Sequence, residues 1–193
     1  MRIVAELPVA QRDRPASWPP AVARVLLYMD GLTSQSDRCG AFADWIQSRR
    51  RGLEKIYAHP LGCLLPDLQV AAMLNDAGLG SSYTLLAPYY WLIECVDRAA
   101  IFTLMRQSGF EEVVFWFSEF REQALDLVLT ASVHAPLGDD RYDTPFLQFL
   151  GNVGSFIFYA YNHDNIEILG TSEVLVTRYL GGQESYARPE GGI

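Results

Sequence analysis

Apolar residues recur every three or four positions in some stretches of this chain and every two in others, so helices and strands are both expected. Alternation over residues 2–7 predicts a strand, and residues 8–20, with Pro15, Pro19 and Pro20, predict an extended connection. Residues 22–29 form an apolar run closed by Asp30 and Gly31, open to a strand or a short helix. From Asp37, read as an N-cap, Phe42, Trp45, Ile46, Leu53 and Ile56 keep helical spacing as far as Pro60. Another helix is expected to start at Pro66 and Asp67 and to stop at Gly78.

Residues 89–107 are the most apolar helical candidate, with Glu94, Asp97, Arg98 and Arg106 confined to a narrow stripe and Glu94 four residues before Arg98. Residues 110–131 admit two readings. As a helix, Val113, Phe117, Phe120, Ala124, Leu127 and Val128 make its inner face, while Phe115 and Trp116 fall outside among Glu112, Glu119, Glu122 and Asp126. As a strand over 113–118, the run Val-Val-Phe-Trp-Phe has high β propensity and puts both aromatics inside. The helix is the preferred reading.

Beyond Ala135, turn residues at 138–140 and 143–145 give way to short β-type runs. Residues 156–161 and 166–169 flank Asn162, His163, Asp164 and Asn165 as a hairpin, and 174–180 would complete a meander. The expected fold is therefore α+β: a single domain over 1–180, with a helical N-terminal and central part packed on a small antiparallel sheet formed mainly by the C-terminal third. Residues 181–193 are expected to be a mobile tail.

Half of the 193 residues are apolar and 12% aromatic, enough to build a sizeable core and to exclude global disorder. A signal peptide and a transmembrane helix are not expected, since residues 1–9 include Arg2 and Glu6 and no apolar run approaches about 20 residues. Cys39, Cys63 and Cys95 are odd in number and widely spaced, which points to reduced thiols and a cytoplasmic location.

Charge changes the picture most. Residues 1–106 carry ten carboxylates and eleven Lys or Arg, whereas residues 107–193 carry thirteen and four, so balances of +1 and −9 make up the net −8. Direct nucleic-acid binding is disfavoured by that field. The basic residues Arg49, Arg50, Arg51 and Lys55 are read as the solvated end of a helix in preference to a phosphate site.

Candidate chemistry is sparse. A hydrolase-type pocket could be assembled from Cys63, His59, His134 and Asp164, but no nucleophile elbow or protease signature accompanies them. The His163, Asp164, Glu167 and Asp139, Asp140, Asp143 groups match no zinc or calcium spacing, and no Walker or Gly-x-Gly-x-x-Gly loop occurs, so no catalytic residue, metal or cofactor is assigned. What remains is a surface for binding. Phe115, Trp116, Glu112, Glu119, Glu122, Asp126, Asp139, Asp140, Tyr142 and Asp143 supply aromatic anchors in an acidic rim. They predict an inhibitor of a basic, nucleic-acid-acting protein, after the manner of an immunity protein or an anti-CRISPR-like phage anti-defence protein that mimics nucleic acid. A small enzyme and a homodimeric adaptor or secretion chaperone are the alternatives.

Overall fold

The computed structural model describes residues 2–6, 22–134, 146, 149–160 and 165–180. Its centre is one eight-stranded sheet with the spatial order β1-β2-β8-β7-β6-β3-β5-β4. The strands are β1 (Arg2–Glu6), β2 (Val22–Tyr28), β3 (Lys55–Cys63), β4 (Tyr83–Ala87), β5 (Tyr90–Cys95), β6 (Phe110–Ser118), β7 (Ser155–Ala160) and β8 (Asn165–Thr171). Every neighbouring pair is antiparallel.

This corrects the expectation of a small sheet made mainly by the C-terminal third, because six of the eight strands precede residue 119. The cause is burial on both faces. Helices α1 (Gln35–Ser48), α2 (Asp67–Asp76) and α3 (Arg98–Met105) pack on one face, through Phe42, Ile46, Val70, Leu74, Ile101 and Leu104. Helix α4 (Arg121–His134) and the segment around Phe146 and Leu150 pack on the other. A strand between two helical layers loses its polar alternation and reads as an unbroken apolar run.

Strand β6 shows the effect, since Val113 through Ser118 are all buried, with odd-numbered residues 113, 115 and 117 in one core and Val114 and Trp116 in the other. The preferred helical reading of 110–131 thus fails up to Ser118 and holds for α4, whose Ala124, Leu127, Val128 and Ala131 face inward. Residues 89–107 divide likewise into β5 and α3, at the Asp97 N-cap whose Oδ1 accepts from Ala100 N at 2.9 Å. Glu94 and Arg98 consequently part company: Glu94 pairs with Lys55 at 2.9 Å and Arg98 with Asp44 at 2.6 Å.

The β7–β8 hairpin matches its expected strands, though the loop residues 161–164 lie outside the described residues. The expected third strand at 174–180 is instead a helical turn, Ser172–Val174, running into a π-helical turn, Leu175–Tyr179. That turn lies against Gly170, where a Cβ would come within 2.8 Å of Leu175 Cδ2 and 2.9 Å of the Gly154 carbonyl oxygen. Gly170→Ala should therefore cost about 1–3 kcal/mol by overpacking, read as a lower urea midpoint. An unchanged midpoint would show that the turn is loosely seated.

Candidate functional site

Helix α4 begins at a corner tied by one hydroxyl. Ser118 Oγ donates to the Phe120 carbonyl at 2.9 Å and lies 3.0 Å from Gln123 Oε1, and Phe120 N donates back to Ser118 Oγ at 3.3 Å. The Phe120 carbonyl also accepts from Ala124 N at 3.4 Å, so Phe120 occupies the N-cap position. With its backbone fixed there, the side chain points away from both cores and is 63% exposed. Glu119, Glu122 and Asp126 are exposed beside it, as is Leu129, and none of those three carboxylates is held in an ion pair among the described residues. Arg121 is turned aside, donating to Thr84 Oγ1 at 2.6 Å. Glu122 lies in the first turn of α4, where a carboxylate is favoured by the helix dipole.

The other expected interface residues divide. Phe115 and Trp116 are each 0% exposed and offer no surface to a partner, because β6 is a central strand with a core on either face. Glu112 is half-buried and engaged with other groups. Asp139, Asp140, Tyr142 and Asp143 lie outside the described residues.

The imagined hydrolase pocket does not assemble from the groups that can be placed. His59 is 1% exposed, stacked on Tyr90 with ring centroids 5.6 Å apart and tilted against Phe146 at 5.9 Å. Its Nδ1 lies 2.9 Å from the Trp91 carbonyl oxygen. The register explains this contact: Ile56 pairs with Cys95 and Ala58 with Ile93, and Glu94 N turns away to Ser82 O. Continuing that ladder by two residues sets Pro60 opposite Trp91 at a position that requires an N–H, which proline lacks. The His59 imidazole supplies the missing donor. Burial holds the ring neutral, lowering its pKa to about 4 against a smaller opposing effect of the carbonyl.

Cys63, four residues on, packs towards the opposite core, and its thiol bonds the Leu65 carbonyl at 3.5 Å. Burial raises its pKa, the reverse of what a thiolate nucleophile needs. The side chain of His134 and all of Asp164 lie outside the described residues. All three cysteines are free. Among the described residues no three His, Cys, Asp or Glu side chains gather as metal ligands, and no helix is long and apolar enough to cross a membrane.

Sequence reasoning missed Phe120 as a displayed residue and placed it in the inner repeat of a long helix. The signal that could have found it is Ser118, a hydroxyl between the end of a β-prone run and the acidic first turn of a helix. No family model, curated protein or solved structure matches the chain.

Proposed function

We propose that this protein acts by binding, presenting the acidic N-terminal face of α4, with Phe120 at its centre, to a cationic protein partner. The reading rests on one observation: a large aromatic side chain stands 63% exposed on an anchored backbone, flanked by Glu119, Glu122 and Asp126, none of them in an ion pair among the described residues. A rigid ring in a charged rim is the form that binding hot spots take, with the rim steering a partner of opposite sign. The net charge of −8 extends the same attraction over the whole molecule. An inhibitor that covers the basic surface of a nuclease or nucleic-acid-binding complex is the role this chemistry suits, as an immunity or anti-defence protein would.

The test is affinity capture from the native cell with wild type, Phe120→Ala and Glu119→Lys, followed by binding kinetics on the captured protein. Phe120→Ala should weaken the complex by about 2 kcal/mol, roughly thirtyfold. Glu119→Lys should mainly slow association, and added salt should slow it for wild type too. Equal capture by all three proteins would move the interface off this face.

A further inference from the structure

At the far end of α1, three arginine side chains meet at the π-helical turn, and two of them keep N–H groups without acceptors among the described residues. Arg178, in the π-helical turn, has a side chain only 9% exposed, with its guanidinium carbon 4.5 Å from the Phe117 ring centroid. Its Nη2 donates to Glu54 Oε1 at 2.5 Å, but its Nε and Nη1 are buried with no partner among the described residues. A guanidinium carries one N–H on Nε and two on each Nη, so three of the five N–H bonds of Arg178 go unanswered.

Arg49 repeats the pattern. It lies over Trp45 at 5.6 Å, donates from Nη1 to the Arg178 carbonyl at 3.5 Å, and leaves a buried Nε without an acceptor. Arg51 closes the group, donating from Nη2 to the Thr177 carbonyl at 2.5 Å while its backbone N–H donates to Glu54 Oε2 at 2.9 Å. Trp45 Nε1 and Gln47 Nε2, on the same turn of α1, are further buried donors without partners. Of the residues expected to form a solvated helix end, Arg50, Arg51 and Lys55 are exposed, although Arg51 also reaches the π turn, whereas Arg49 is half-buried and folded onto that turn.

Three arginines meet on this turn, and among the described residues the one carboxylate that touches any of them is Glu54, bonded by the Arg178 guanidinium and the Arg51 backbone N–H, a formal surplus of two positive charges. An unanswered N–H on a buried cation is far more costly than one on a neutral group. Two arginines with buried, unanswered N–H groups, beside a third that is exposed on the same turn, make an arrangement suited to an anion. A phosphate group supplies what is short: several acceptor oxygens on one atom and a charge near −2. Next to the cluster, residues 51–53 form an exposed turn with Gly52 at φ +51°, over which a small ligand can enter.

We propose that Arg49, Arg51 and Arg178 form a binding site for a phosphate group, either inorganic phosphate or a small phosphate monoester, with Glu54 anchoring the Arg178 guanidinium. This site is separate from the acidic face of α4, and either could exist without the other.

The experiment is calorimetric titration of the full chain with inorganic phosphate and, separately, with glycerol phosphate, against sodium chloride at matched ionic strength. Saturable one-to-one binding of phosphate is expected, weakened at least tenfold in Arg49→Gln and Arg178→Gln and unchanged in Arg106→Gln, an exposed arginine on α3's C-terminal cap. Should Arg178→Gln fail to fold, Arg51→Gln takes its place, since that side chain is exposed. Competition by glycerol phosphate would identify a monoester site, and its failure a site for the free ion; both uphold the proposal. Absence of saturable binding, or an equal loss in Arg106→Gln, would overturn it.

Discussion

Trp116→Ala should lower folding stability by about 3–5 kcal/mol, the cost of emptying a large aromatic from a packed core. Trp116 is fully buried, stacked on Tyr57 at 6.2 Å and 25°, tilted on Phe146 at 6.2 Å, and edge-on to Phe156 at 6.4 Å. Those rings form the floor on which Ala124, Leu127 and Val128 of α4 rest. Urea unfolding reads the loss, with an unchanged slope if the unfolded state is unaltered. Phe120→Ala on the same scale should stay within about 0.5 kcal/mol, since its ring contributes little to either core. A small change at Trp116 paired with a large one at Phe120 would reverse the assignment of inside and outside. Trp116→Phe separates packing from polarity: the indole Nε1 and the Tyr57 hydroxyl are buried without partners among the described residues, so replacing the indole removes an unanswered donor along with some area. Its cost should be less than half that of Trp116→Ala.

One change of secondary structure moved both aromatic assignments. Had residues 110–131 been one helix, Phe115 and Trp116 would lie outside and Phe120 inside; ending a strand at Ser118 exchanges them. The run 113–118 carries no periodicity that could decide, because each face of the sheet meets a helical layer and both sets of side chains must be apolar. The same blindness hid β5. Its residues continue into α3 across only Val96 and Asp97, so the apolar stretch ran on through two elements, and only the capping carboxylate of Asp97 marked the boundary.

Elements with polar punctuation were legible. Helix α2 starts at the Pro66 and Asp67 signal and stops before Gly78, and β7 and β8 flank a polar loop. Strand β3 was not, since Pro60 reads as a terminator. It survives inside the sheet because His59 donates in its stead, a compensation that depends on a tertiary neighbour and leaves no local trace. The acidic residues of α4 could be read directly as charge, but which ring stood among them required the fold.

That compensation makes stability depend on pH in a definite window. In the unfolded chain His59 titrates near 6.5, whereas desolvation in the fold lowers it to about 4. Between those values the unfolded chain binds a proton that the folded chain refuses, so stability rises with pH across the window. The contribution is fully present above about pH 6.5, is lost progressively as pH falls towards 4, and amounts to about 3 kcal/mol over the span. Urea unfolding at intervals from pH 7.5 to 4.5 should show the decline. His59→Gln keeps an N–H able to reach the Trp91 carbonyl and removes the titrating ring, so its stability should vary far less over the same range. At pH 7.5 the variant should be the weaker protein, having lost the stacking on Tyr90 and Phe146, and its deficit should narrow as the pH falls. Carboxylates such as Asp44, held below the usual range by hydrogen bonding to Arg98, lose their contribution at lower pH and do so in both proteins. Parallel curves for the two would mean that His59 takes up its proton inside the fold, and the neutral donor bridging the gap at Pro60 would have to be abandoned.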